Sequence, residues 1–269
     1  MAIDTLASIA EKAGCSVSTV SRVLSGKANK YRISEPTIKR VMSEVEKANY
    51  TPSLLAKGLR AGKTETIGLL IPGIDDTFFS AIASYIISEA KSLNYTVVVV
   101  DTQEKEKNED DGLSALLARN VDGVIAIPCS NKNSSLFAKV AAKGIPIVIV
   151  DRYFEDSTDI PFVTTDNYRG AVMAVEFLIE NGHRKIACIQ GNPDAMTCKT
   201  RVKGYMDTMR KHGLESEIRV FGEEFSIQNG YIETKLALSR KNLPTAIFAL
   251  SNKILKCINI SFNCRLLIS

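Results

Sequence analysis

The sequence predicts a small all-α headpiece of helix-turn-helix type, followed by an α/β core of two doubly wound parallel-sheet lobes. Three observations predict it. Thr5 to Ser25, TLASIAEKAGCSVSTVSRVLS, has the spacing of two short helices around a glycine turn. From Thr66 onward, short β-branched and aliphatic runs alternate with amphipathic stretches, the pattern of strands and crossover helices. Charge divides at the same place. Residues 1–63 hold 11 Lys and Arg against 5 Asp and Glu, a balance of +6, and the remainder holds 23 against 25, a balance of −2.

In the headpiece, Leu6, Ile9, Ala10 and Ala13 recur at helical spacing and give the first helix one apolar face. Gly14 ends it, because glycine accepts the left-handed conformation of a helix C-terminus. Ser16 stands where an N-cap belongs, its hydroxyl able to accept from an orphan amide. Val20, Val23 and Leu24 face inward, leaving Val17, Ser18, Ser21 and Arg22 outward. A second helix with small polar residues at its exposed start suits a DNA major groove, entered N-terminus first. An ordinary helical hairpin would share the pattern.

The loop GKANKYRIS is basic. Lys27, Lys30 and Arg32 are either solvated charges or phosphate contacts, and the charge balance of the segment favours the second. Ser34 is a good N-cap for a third helix, and Pro36 falls in its first turn. Ile38, Val41, Met42 and Val45 form that helix's inner face, with Tyr50 packed at its end. TPSLLAKGLRAGKTET then reads as a linker, in which Ser53 to Arg60 can form a helical turn or two.

At 269 residues, with 45% hydrophobic and 24% charged residues, the chain has the composition of a soluble globular protein of two or three domains. It lacks an apolar run of about eighteen residues and the apolar segment of a signal peptide, so a cytoplasmic location is expected and no membrane contact. Six cysteines (Cys15, Cys129, Cys188, Cys198, Cys257, Cys264) show neither CxxC nor zinc spacing and read as scattered reduced thiols. No metal and no cofactor is expected.

In the core, TIGLLIP, YTVVVVD, VDGVIAIP and IPIVIVD are the strands of a first lobe. Parallel sheets of this kind bind ligands beyond the C-terminal ends of their strands. That places Asp75, Asp76, Phe78 and Phe79 after the first strand, Asp101 after the second, and Asp151 and Arg152 after the fourth. Around Ile160 the pattern restarts as a second lobe: PFVTTDN, KIACIQG, a strand near Ile218 and TAIFAL, with helices between them.

The segments TLASIAEKAGCSVSTVSRVLSG, VEKANYTPSLLAKGLRAGKTETIGLLIP, NVDGVIAIP, GIPIVIVDR, TTDNYRGA, NGHRKIACIQG, CKTRVKGY and PTAIFALSN resemble, in order, those of the lactose/galactose repressor (LacI/GalR) family of bacterial transcription regulators. The resemblance implies a headpiece whose recognition helix enters the major groove. It also implies a hinge helix that orders on DNA, and a periplasmic-binding-protein-like core that takes a sugar or purine effector. By motif position, Val17, Ser18 and Arg22 match the family's base- and backbone-contacting residues. The full DNA-binding set expected is Thr5, Ser16, Val17, Ser18, Thr19, Ser21, Arg22, Lys27, Lys30, Arg32, Ala56 and Leu59. Leu59 matches the apolar wedge that paired hinge helices push into the minor groove; resting against the core is its other reading. The effector-binding set expected is Asp75, Phe78, Phe79, Asp151, Asp166, Arg201 and Asn252. Phe78 and Phe79 match pocket-lining positions, although Phe79 can equally cap the sheet. Arg201 resembles the pocket arginine, its planar fork suited to hydroxyls or a carboxylate, or else is a surface arginine pairing with a helix carboxylate. Lys253 is a departure, since the family usually has Asp there.

The implied organisation is a headpiece over 1–51, hinge and linker over 52–65, an N-terminal lobe over 66–160, an incomplete C-terminal lobe over 161–254, and an atypical tail over 255–269. That tail, LKCINISFNCRLLIS, shows no helical apolar stripe. The family continues with further strands and a closing helix, so the chain reads as truncated, with a destabilised core and an impaired effector response. The expected partners are a palindromic double-stranded operator, a carbohydrate-like effector and, if the core folds, a second copy of the chain. The expected function is transcription regulation, as a repressor. A sugar-binding protein without regulatory work accounts for residues 66–254 but not for the basic headpiece, and an effector-blind DNA-binding fragment is a further reading. An enzyme would have to use Asp151 and Asp166 as an acid/base pair, with no nucleophile, metal cluster or phosphate loop nearby.

Overall fold

The computed structural model describes residues 5–50, 62–156, 159–239 and 242–261, with side chains through Lys256. The chain divides into two compact units, residues 1–64 and 65–269.

The first unit is helical: α1 (Leu6–Lys12), α2 (Val17–Leu24), a 3₁₀ turn over Asn29–Tyr31, and α3 (Glu35–Lys47). Thr5 caps α1 through a reciprocal pair with Ser8. Gly14, at φ 62°, turns the chain after α1, and the Ser16 hydroxyl accepts from the Thr19 amide at the start of α2. Ile9, Ala10, Ala13, Val20, Val23, Ala28 and Val41 form the core, with Leu6, Ile38, Val45 and Tyr50 packed around it. Two details differ from the sequence reading. Met42 is 48% exposed rather than buried. The buried stripe of α3 runs Ile38, Val41, Val45, and a step of one residue past Val41 turns Met42 about 100° away from that seam. Ser34 occupies the N-cap, but its hydroxyl bonds the Thr37 hydroxyl and no helix amide.

The second unit opens with a five-stranded parallel sheet in the order β2-β1-β3-β4-β5. Its strands are β1 (Thr66–Ile71), β2 (Thr96–Asp101), β3 (Gly123–Ala126), β4 (Ile147–Val150) and β5 (Phe162–Val163). The helices α4 (Thr77–Ser92), α5 (Glu106–Ala118) and α6 (Ser134–Ala142) connect the first four. Both faces are covered: Leu70, Leu113, Leu116, Phe137 and Ile149 pack on one side, and Leu69, Ile71, Phe79 and Ala83 on the other. The first lobe does not end at residue 160. Phe162 and Val163 pair in parallel with Ile149 and Val150, so they close the first sheet, and the chain crosses to the second lobe after Val163. A two-residue strand carries no periodicity that says which sheet it joins.

The second sheet is also parallel, in the order β7-β6-β8: β6 (Ile186–Ile189), β7 (Arg219–Phe221) and β8 (Ala246–Ala249). Around it lie α7 (Asn167–Glu180), α8 (Met196–Lys211), α9 (Ile227–Leu238) and α10 (Asn252–Ser261). Tyr205 is fully buried; its hydroxyl donates to the Ile186 carbonyl at 2.7 Å and accepts from the Arg219 amide at 3.0 Å, tying α8 to β6 and β7. Burial pushes that phenol up to about 12. The chain stays helical through Ser261, past the point where the sequence pattern fails. Ser251 accepts from the Ile254 amide, Ile254 is fully buried beside Ile189, and no glycine or proline interrupts residues 252–261. Tertiary packing and the absence of a breaker suffice where an apolar stripe is not evident.

Cys15, Cys129, Cys188 and Cys198 are free thiols, and burial pushes Cys198 up to about 11 and raises Cys129 and Cys188 as well. The three buried thiols, Cys129, Cys188 and Cys198, stay protonated and inert at neutral pH. No described helix is long and apolar enough to cross a membrane.

Helices α7 and α8 touch at Gly204, where a Cβ would stand 2.7 Å from the Tyr168 carbonyl oxygen and 3.0 Å from the Ala171 Cβ. Gly204→Ala must therefore spread the two helices, at a cost of about 1–3 kcal/mol. Urea unfolding of the core reads this as a lower midpoint, and an unchanged midpoint would show the contact to be slack.

Candidate functional site

On the first unit, the start of α2 is the exposed polar surface. Val17 is 38% exposed, and Ser18 and Arg22 are also exposed. Ser16 ties the Ser18 and Thr19 hydroxyls at 2.8 and 2.9 Å, so the first turn of α2 is a fixed cluster of hydroxyls. The Arg22 guanidinium lies 4.0 Å from the centre of the Tyr31 ring. Lys27, Lys30 and Arg32 are all exposed on the loop that follows, and Arg32 adopts φ 51° as the 3₁₀ turn ends. Ser21 is half-buried, and Thr5 serves as the cap of α1. Ala56 and Leu59 lie outside the described residues.

On the second unit, a cavity of about 290 Å³ opens beyond the C-terminal ends of the strands of both sheets. Phe78, Phe79, Asp151, Arg201 and Asn252 from the expected set line it, brought there by α4, β4, α8 and α10. Asp75 and Asp166 do not. Asp75 pairs with Lys253 at 3.2 Å, and Asp166 caps α7 by accepting from the Arg169 amide. Asp166 is thus not beside Asp151 in the cavity as an acid/base partner. Its neighbour Asn167 does reach the site, with Oδ1 accepting from Arg201 Nε at 2.8 Å. Asp101 is spent on the Gln103 amide.

The residue that organises the cavity is Arg152, only 3% exposed. It grips Glu104 with both terminal nitrogens at 2.7 Å, and Nη1 also donates to the Pro128 and Cys129 carbonyls at 3.1 Å. Its guanidinium lies 5.3 Å from the Phe79 ring centre and 4.7 Å from that of Phe225, one ring from each lobe. Burial works against this charge, but the bonds to Glu104 outweigh it and raise the arginine's pKa. Glu104, Arg152, Thr197 and Phe225 also line the cavity. Glu104 and Phe225 lie three and four residues past the ends of β2 and β7, where strand-end reasoning could have found them. Thr197 had no such signal, standing eight residues past β6 in the first turn of α8; Phe225 is held by Gly191, whose absent Cβ leaves the space its ring fills.

Of the charged groups that line the cavity outside the Arg152–Glu104 pair, Asp76 caps α4 by accepting from the Phe78 amide, which leaves Asp151 and Arg201. Asp151 sits at φ 62°, a left-handed position that Asp tolerates better than most residues, and burial raises its carboxyl against the pull of Arg152 and Arg201. Burial lowers Arg201, which is fixed by Asn167 and by the Leu250 carbonyl at 2.6 Å. Around the mouth, three ion pairs join the lobes: Lys253–Asp75 at 3.2 Å, and Lys199–Glu155 and Lys132–Asp194 at 3.5 Å each.

These two arrangements match one family. Residues 5–53 fit the profile described as "Bacterial regulatory proteins, lacI family", and residues 64–259 fit "Periplasmic binding proteins and sugar binding domain of LacI family". The chain belongs to the LacI family. Among its relatives, the HTH-type transcriptional regulator DegA of Bacillus subtilis (strain 168) is 33% identical over 258 residues, covering 94% of this chain and 74% of DegA. The HTH-type transcriptional repressor PurR of Aliivibrio fischeri (strain ATCC 700601 / ES114) is 31% identical, covering 92% of this chain and 73% of PurR. In three dimensions, the lac repressor dimer bound to operator and the anti-inducer ONPF matches with a TM-score of 0.82 at 23% identity, over 97% of this chain and 77% of that one. The Cra dual regulator of Pseudomonas putida in complex with fructose 1-phosphate matches with a TM-score of 0.70 at 20% identity, over 76% and 75%. This LacI-family chain is a DNA-binding transcription regulator with a sugar-binding type of core, and the family match of that core runs to residue 259, beyond Ile254.

Beneath the cavity, Glu109 of α5 is fully buried; Oε1 accepts from the Cys129 amide at 2.8 Å and Oε2 from Asn133 Nδ2 at 2.8 Å. Burial raises its pKa despite those bonds. A carboxyl raised in the fold binds more protons folded than unfolded, so its contribution falls as pH rises from the ordinary carboxylate range through the raised value. Glu109→Gln loses one acceptor but carries no charge. Its stability deficit against the parent should shrink as pH rises above the ordinary carboxylate range in urea unfolding; a deficit constant with pH would mean that Glu109 does not titrate there.

Proposed function

We propose that this regulator binds a roughly palindromic operator as a dimer, by inserting α2 into the major groove, and that a polyhydroxylated small molecule bound in the cavity alters that affinity. The observation that carries the reading is the start of α2. Val17 and Ser18 stand exposed on a capped, rigid helix beside Arg22, in a segment with a charge balance of +6. In this reading Val17, Ser18 and Arg22 meet base edges. Thr5, Ser16, Thr19, Ser21, Lys27, Lys30 and Arg32 meet or frame the phosphates, and Ala56 and Leu59 belong to the minor-groove element. The cavity supports the second half. It offers the Asp151 carboxyl, the Arg201 fork and the Asn252 amide beside the rings of Phe78, Phe79 and Phe225, a combination of polar groups and aromatic faces that suits a sugar. A cytoplasmic site of action accords with such a role.

Phosphate contact has a measurable signature. Each neutralised phosphate contributes about −0.9 to the slope of log affinity against log salt, so replacing Lys27, Lys30 and Arg32 together by Ala should flatten the slope by about 3. A slope that does not move would make those residues solvated surface. Leu59→Ala should weaken binding to a selected site about tenfold more than binding to random duplex, because only a bent site rewards the wedge; equal losses on both would remove Leu59 from that role. Arg201→Ala should abolish effector-dependent changes in operator binding while DNA binding without effector persists.

A further inference from the structure

We propose that Tyr31 is a positioning residue for sequence recognition: its ring holds the Arg22 guanidinium with the donor edge free to read a guanine. This rests on the reading that α2 enters the major groove. The Arg22 guanidinium carbon lies 4.0 Å from the Tyr31 ring centre, a stacking distance. Among the described residues no carboxylate takes its donors. An ion pair would consume those donors, whereas stacking on a ring face uses none of them, because the five N–H groups of arginine lie in the guanidinium plane. The paired donors needed for guanine O6 and N7 therefore stay available while the side chain is already ordered.

The ring is anchored from below. The Tyr31 amide bonds the Lys27 and Ala28 carbonyls, and the Ile33 amide returns to Ala28. Ala28 is 8% exposed in the headpiece core, and Ile33 packs against it. The Lys27 amide bonds the Arg22 carbonyl at 2.9 Å, closing the loop onto the end of α2. Tyr31 itself remains 46% exposed, so its face is not consumed by the core. The 3₁₀ turn thus presents an aromatic platform at the flank of the recognition helix, at a distance set by buried residues.

The test uses the full chain and a duplex selected by it from a random pool, together with variants of that duplex altered one base pair at a time. Tyr31→Ala should reduce discrimination at one G·C pair in each half-site by about three- to fivefold, with affinity for random duplex and the salt slope unchanged. Tyr31→Phe should retain discrimination, and Tyr31→Leu should lose it as Ala does. Random-duplex binding at full strength shows that each headpiece is folded. The proposal is overturned if Phe fails along with Ala, which would make the hydroxyl the active group. It is overturned equally if Leu preserves discrimination, if Ala lowers affinity for every duplex alike, or if Ala changes nothing. Arg22→Ala separates the two levels. If it abolishes discrimination at that pair while Tyr31→Ala does not, groove reading stands and the platform falls. If Arg22→Ala itself leaves discrimination intact, the groove reading falls and takes the platform with it.

Discussion

The core is organised around one ion pair, a buried Arg152 held by a half-buried Glu104. Arg152 and Glu104 sit beyond the ends of β4 and β2, strands that are not neighbours in the sheet, and their bidentate bond draws those loops together across β1 and β3. Removing Glu104 leaves the buried Arg152 charge uncompensated, at a cost of about 3–5 kcal/mol. The pair is kept whole by what surrounds it. Glu109 fixes the Cys129 amide, so the carbonyls of Pro128 and Cys129 face Arg152 rather than solvent. The guanidinium then serves as a floor for two aromatic rings, Phe79 from one lobe and Phe225 from the other. Cavity shape follows from that chain of contacts, from α5 through the β3 loop to the second lobe.

The headpiece solves a different problem with different means. A unit this small has a modest core of Ile9, Val20, Val23 and Val41 with three alanines, so its precision comes from capping. The Thr5–Ser8 pair, the Ser16 cap and the left-handed Gly14 each satisfy backbone groups that a short helix leaves open. The same Ser16 hydroxyl that stabilises α2 also orders Ser18 and Thr19. Stability and presentation of the reading surface are therefore the same set of bonds.

Local chemistry was legible in the sequence, and pairing across distance was not. Gly14, Ser16 and the stripe of α2 announce themselves within four residues, and the strands of the first sheet do so by composition. The cavity was read in part, because strand ends and motif positions point to Phe78, Phe79, Asp151, Arg201 and Asn252. Asp75 and Asp166 carry the right charge in the right neighbourhood, but one is engaged by Lys253, some 180 residues away in sequence, and the other by its own helix. Arg152 stood beside Asp151 in the sequence, yet nothing there revealed that Glu104 would bury it. The sheet that Phe162 and Val163 join depends on which edge is open, a property of the assembled lobe.

The placement of β5 has a mechanical consequence. Between its last residue, Val163, and the first of α7, Asn167, lie three residues, Thr164 to Asp166. The Thr164 hydroxyl bonds the Asp151 carbonyl, and Asn167, at the far side, holds both Thr164 and Arg201. A crossing this short leaves little free chain between the two sheets. The same three residues that carry the chain from one sheet to the next are thus bonded to Asp151 and, through Asn167, to Arg201, so the crossing and the two charged groups form one hydrogen-bonded unit.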